Sequence, residues 1–209
     1  PWWRDDAYYA PDRWQGTMAL DGGGALMNQS IHGVDAVQWV ASAAMHDLPQ
    51  DHNPVEQVFA FTAKRGHDPQ AIEVEDTAVV AMKFRNGTLG QILGATSMFP
   101  GSLRRFQIAG RDGTAEVLED QLLTWQFRSA HDEDEATRQR FAGETTTGGG
   151  AADPMAIDYT GHTRNIDAFV NWIDRDETFM LDGTEARKAV AIIEAAYKSA
   201  ETGRLAAVA

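Results

Sequence analysis

VEDTAVVAMKFRNGTLGQILGAT, residues 74–96, decides the fold class. It holds two β-prone runs around Asn86-Gly87, the strongest short hairpin signal in the chain. RRFQIAGRDGTAEVLEDQLLTWQF, residues 104–127, repeats the design. There Gly110-Arg111-Asp112-Gly113 reads as one turn and Glu119-Asp120 as another. Upstream, VEQVFAFTAKR (residues 55–65) alternates imperfectly and reads as one more strand. The runs VVAM and QILGAT are apolar on both faces, so a sheet with helices on one face only needs a second cover on the other.

Helical periods lie on both sides of this block. Before it, DGGG at 21–24 supplies a turn and ALMNQSIHGVDAVQWVAS at 25–42 a helix. After it come TRNIDAFVNWIDR (163–175), with Ile166, Phe169, Val170 and Ile173 at helical spacing, and TEARKAVAIIEAAYKSAETG (184–203). In the latter Thr184 is the expected N-cap, Gly203 falls just past the end, and Val190, Ile193, Ala196 and Tyr197 form the expected core stripe. Residues 128–157 are acidic and Gly/Thr-rich and read as a long loop, with the HDEDE run at 131–135 solvated. Segregated strands and helices predict an α+β fold: a large open mixed, mostly antiparallel sheet with helices on one face. No βαβ alternation and no GxGxxG after a strand is visible, so no dinucleotide-binding unit is expected within residues 1–209, which read as one domain.

Composition narrows the function. The chain has 18 Lys+Arg against 31 Asp+Glu, a net charge of −13, and no cysteine. That balance argues against a nucleic-acid or polybasic membrane partner. No apolar run approaches the ~18 residues that a membrane helix needs. A compact chain of 22.9 kDa should expose about 9,600 Å² and bury about 70% of its unfolded surface without disulfides. The opening PWWRDDAYYA lacks Met and any apolar leader. It reads as a start inside a longer protein, with Trp2, Trp3, Tyr8 and Tyr9 in a folded aromatic cluster. A cytoplasmic location is the expectation, from the cysteine count alone.

The first helix carries the candidate chemistry. On a wheel of about 100° per residue, Met27, Ile31, Val34 and Ala41 share an arc of ~80°, the core stripe. Asn28, His32 and Asp35 share another arc of ~60°, with Trp39 among them. This spacing stacks an amide, an imidazole and a carboxylate over two turns. The imidazole can exchange a proton near neutral pH, and the amide and carboxylate can bind hydroxyls of a polyol. The competing reading is a solvated polar face. Two candidate ligands, His32 and Asp35, are too few for a metal, so none is expected. His46, His52, His67 and His131 fall in loops and are expected at the surface; His162 precedes a helix and either caps it or faces a cavity.

WQGTMALDGGGALMNQSIHGVDAVQWV (14–40) resembles the signature of the Gfo/Idh/MocA oxidoreductases. IAGRDGTAEV (108–117), GHTRNIDAFVNWI (161–173) and DGTEARKAVAIIEAAYKSAETGR (182–204) resemble that family's second hairpin and closing helices. The resemblance covers Trp3 to about Val208 and implies the C-terminal domain alone. In that family an N-terminal Rossmann domain binds NAD or NADP, and a lysine in an E-K-P motif assists catalysis; neither motif occurs here. The resemblance implies that His32 passes the proton of the reacting hydroxyl and that Asp35 contacts a substrate hydroxyl. Asn28 stands where the family often has Asp, and Ser30 where Gly is frequent, a change expected to tighten packing. Asp21 and Gly22, Gly23 and Gly24 match the turn that brings backbone close to substrate or cofactor, and His162 joins the substrate side. The implied parent is an NAD(P)-dependent oxidoreductase acting on a sugar, cyclitol or related polyol. It would work as a homo-oligomer packed through the sheet face, with no cofactor bound to this chain alone. The alternative is a non-catalytic assembly module with the same fold, which need not keep the Asn28/His32/Asp35 set.

Overall fold

The computed structural model describes residues 2–142 and 159–209. Among them, strands β1 (Val55–Ala63), β2 (Thr77–Phe84) and β3 (Leu89–Ala95) form one sheet with the short β7 (Ala206–Ala207), in the order β3-β2-β1-β7. Strands β4 (Arg105–Ala109), β5 (Gly113–Leu118) and β6 (Gln121–Phe127) form a second, in chain order. Every pairing is antiparallel. The hairpin expected at Asn86-Gly87 joins β2 to β3: Gly87 takes left-handed backbone (φ 85°), and Asn86 Oδ1 accepts from Thr88 N–H.

Alternation along β2 sets the two faces. Ala78, Val80, Met82 and Phe84 are buried, while Val79, Ala81 and Lys83 are exposed. The buried face carries the helices. Helix α5 (Gly183–Thr202) packs on β1 and against α2 (Ile31–Ser42), and the π-type turn Ala25–Ser30 that leads into α2 packs on β2 and β3. Leu26, Val34, Ile192, Ile193 and Ala196 meet Val55, Val58 and Val80 there. Met27, Ile31, Ala41 and Tyr197, all expected core residues, pack at its margin. On the opposite face Phe61, Val79 and Leu93 are register partners across three strands and stay 67%, 47% and 48% exposed.

Several expectations need correction. Asp182, not Thr184, caps α5; its Oδ1 accepts from Glu185 N at 2.9 Å, because the helix starts at Gly183. Gly203 ends that helix as expected. The loop expected over 128–157 contains helix α3 (Asp134–Arg140), and its residues 143–157 lie outside the described residues. Asp134 is not solvated: it is buried and accepts from Trp125 Nε1 and His131 N, both at 2.8 Å. His67 is not at the surface either. Its ring lies between Asp76 Oδ2 at 3.3 Å and the Arg4 carbonyl at 2.9 Å, against Tyr9 and Trp3. The N-terminal aromatic cluster thus forms as expected, and Trp2 N and Arg4 N tie it to Ala95 O at the end of β3 and to Thr96 O just past it. No described helix is long and apolar enough to cross a membrane.

Candidate functional site

The turn before α2 is built by close packing. The short helix α1 (Met18–Asp21) ends at Gly22, whose left-handed backbone (φ 73°) turns the chain. Gly22 is exposed, whereas Gly23 and Gly24 are buried. A Cβ on Gly23 would strike the Tyr197 hydroxyl, and one on Gly24 would strike the Glu75 carbonyl oxygen. Two of the three glycines therefore serve an internal contact that the sequence alone did not reveal. Glu75 is the hub: its carboxylate accepts from Gly24 N (3.0 Å), Leu26 N (2.8 Å) and Tyr197 Oη (3.0 Å). Burial pushes the Glu75 proton affinity up, and these donors oppose that rise. The same site pushes Tyr197 upward, through burial and the Glu75 charge. Ser30 packs tightly against Gly94, which leaves no room there for a Cβ.

Asn28 belongs to a directional chain of hydrogen bonds. Arg4 Nη2 donates to Gln29 Oε1 (3.0 Å), Gln29 Nε2 to Asn28 Oδ1 (2.6 Å), and Asn28 Nδ2 to Asp21 Oδ1 (2.6 Å). Asp21 Oδ2 then accepts from Gly16 N at 2.9 Å. A cation at one end and a carboxylate at the other fix which way each amide points. Asn at position 28 gives the Asp21 carboxylate a second donor beside Gly16 N.

His32 and Asp35 lie in the first turns of α2 proper. The π-type turn shifts Asn28 relative to them, since it advances less per residue than an α turn. Among the described residues no hydrogen bond joins Asn28 to His32. His32 retains an exposed ring, yet its neighbours strip enough water to push its proton affinity below the ordinary histidine value. This partial desolvation is the largest cause; the charges of Arg104 and His162 act the same way, and that of Asp35 opposes them. His162, exposed on the first turn of α4 (Thr160–Arg175), is thus within electrostatic reach of His32. Asp35, His162 and Arg104 lie within electrostatic reach of His32; Asn28 and Asp21 belong to the hydrogen-bond chain, and Gly22 follows Asp21 at the surface outside it. Arg104, Glu75, Gln29 and Arg4 were missed. Gln38, whose Nε2 donates to Asp35 Oδ1 at 3.1 Å, was missed as well and alone carries a sequence signal: on the wheel it falls about 20° from Met27, inside the apolar arc.

Antiparallel strands backed by α2 and α5, with a polar face opening α2, define a class of α/β domain rather than a single protein. The profile described as "Oxidoreductase family, C-terminal alpha/beta domain" matches residues 2–208, and the chain belongs to this Gfo/Idh/MocA family. Among solved structures it is similar to the WlbA dehydrogenase of Bordetella pertussis, determined in complex with NADH and UDP-GlcNAcA. That match has 29% identity and a TM-score of 0.78, covering 100% of this chain and 54% of that one. The WlbA dehydrogenase of Chromobacterium violaceum, in complex with the same two ligands, matches at 29% identity and a TM-score of 0.76, over 100% and 52% of the two chains. A levoglucosan dehydrogenase shares the fold at 17% identity and a TM-score of 0.66, over 96% and 54%. The chain thus spans about half the length of these relatives.

Proposed function

We propose that this chain is the substrate-facing domain of an NAD(P)-dependent oxidoreductase that acts on a CH–OH group of a sugar, cyclitol or related polyol. The observation that carries the reading is His32, exposed at the start of α2 with its proton affinity lowered by its surroundings. A neutral imidazole at pH 7 is ready to take the proton of a hydroxyl as that carbon is oxidised. Asp35, a turn further on, accepts a hydrogen bond from a second hydroxyl, and Asn28 and Gly22 line the approach. The nucleotide sugar held by the WlbA enzymes supports a sugar-class substrate.

The described residues do not fit a dinucleotide. All their strand pairs are antiparallel, and no glycine-rich turn leads from a strand into a helix N-terminus. NAD or NADP, held by a companion Rossmann domain, would supply the hydride chemistry; this chain's residues would bind, orient and move a proton. Nicotinamide reduction by the protein that carries this chain, across a panel of sugars, sugar acids and cyclitols, tests the reading. Turnover of at least one such substrate that is lost in His32→Ala supports it. No turnover of any of them, or full turnover by His32→Ala, overturns it.

A further inference from the structure

Gln38 is fully buried in the apolar arc of α2, an expensive place for an amide. Its Nε2 donates to Asp35 Oδ1 at 3.1 Å and to Glu185 Oε1 at 2.8 Å, across from α2 to α5. Both protons of the amide are used, and both go to carboxylates. Glu185 is in turn held by Lys188 Nζ at 2.6 Å, and both partners are buried. Asn53 closes the assembly by donating to the Lys188 carbonyl at 2.9 Å. A buried ion pair is a poor source of stability compared with apolar packing of the same volume. It does, however, fix an orientation: with carboxylates on two sides, the Gln38 amide cannot flip. The Gln38 oxygen is buried with no hydrogen-bond partner among the described residues, so the arrangement favours the two N–H donations over satisfaction of the carbonyl.

We propose that Gln38 is a positioning residue: anchored by the Glu185–Lys188 pair on α5, its amide holds the Asp35 carboxylate in place one turn from His32. The proposal rests on the reading of His32 and Asp35 as the substrate-facing pair, and it names the interior groups that act through them. Gln38 itself touches no substrate. It fixes one carboxylate oxygen on the core side, leaves the other for a hydroxyl, and places N–H dipoles on the charge that His32 senses.

The test is a double-mutant cycle read by NMR titration of the His32 imidazole in the substrate-free chain. His32 is faced by Asp35 on its own helix, Arg104 before β4 and His162 on α4. Replacing Gln38 by Leu strips the donor from Asp35, so its field at the imidazole grows. The His32 midpoint should rise by roughly 0.5 on the pH scale. In an Asp35→Asn background the same substitution should leave the midpoint unmoved, because the carboxylate it acts through is gone. Gln38→Met, unbranched and closer in shape, serves if Gln38→Leu fails to fold. An unmoved midpoint in folded Gln38 variants, or an equal rise with and without Asp35, overturns the proposal. Neither result depends on turnover, so the catalytic reading stands or falls separately on His32→Ala kinetics.

Discussion

At the residue scale the two ends of the polar face behave differently. His32 is exposed and not among the buried residues, so His32→Ala should leave little cavity and cost well under the ~2–5 kcal/mol of a core truncation. In the intact enzyme the same change should lower kcat by about 10²–10⁴, the usual worth of a positioned proton acceptor. Asp35→Ala should instead raise KM more than it lowers kcat, which steady-state kinetics on both variants would separate. The pH dependence follows from the lowered proton affinity of His32. The unfolded chain takes up that proton first as pH falls, so the stability held above about 6.5 is lost below it, toward the folded-state midpoint. Asn28→Asp should meet a different obstacle. It sets a second carboxylate against Asp21, where Nδ2 and Oδ1 now lie 2.6 Å apart. We expect a loss of about 1–3 kcal/mol at neutral pH. Sharing a proton raises one folded-state carboxyl pKa, so that deficit should shrink near pH 4 and grow as pH rises. Denaturation curves of variant and parent at pH 4 and 7 check the sign.

At the element scale the turn into α2 is the vulnerable point. Gly24 lies against the Glu75 backbone, which cannot swing aside as a flexible side chain can. Gly24→Ala should therefore destabilise by about 3 kcal/mol, at the upper end of overpacking penalties. Asp182→Ala should cost about 1 kcal/mol through the lost cap of α5. Chemical denaturation distinguishes the two by magnitude. These elements also show what the chain made legible. Asn86-Gly87 announces its hairpin because the turn chemistry is local. The core stripe was readable because Ile31 and Val34 on α2, and Met27 in the turn before it, keep helical spacing and pack on the core. The cap of α5 was misplaced because both Asp182 and Thr184 have capping side chains, and the true start depends on where the chain leaves the preceding loop. Glu75, Tyr197 and Gly24 meet across about 50 to 120 residues of sequence, and no local pattern announces such a contact. For the same reason the GGG run reads as an open approach when two of its members are packed shut.

At the scale of the whole molecule two apolar faces lie open among the described residues. One is α4, whose Ile166, Phe169, Val170, Trp172 and Ile173 are all exposed. The other is the outer face of the four-stranded sheet. The absence of a phosphate-binding turn among the described residues gives a first expectation: calorimetry on the 209-residue chain should show no micromolar affinity for NAD or NADP. The outer sheet face gives a second. Phe61, Val79 and Leu93 run side by side across β1, β2 and β3, and Phe59 packs edge-on to Phe61 at 5.0 Å. Charged residues are kept to its margin, as at the Lys83–Glu56 pair. Such a face is worth covering, and a second copy offers the same apolar rows for a self-complementary contact of roughly 800 Å² per partner. Sedimentation should therefore show association of the chain. Val79→Lys, which places a charge at the centre of the face without touching the buried side, should shift it toward monomer. Because the side chain at position 79 points away from the helices, its melting temperature at low concentration should stay close to that of the parent. A parent chain that stays monomeric at high concentration, or a Val79→Lys variant that associates as strongly as the parent, would assign that face to another cover.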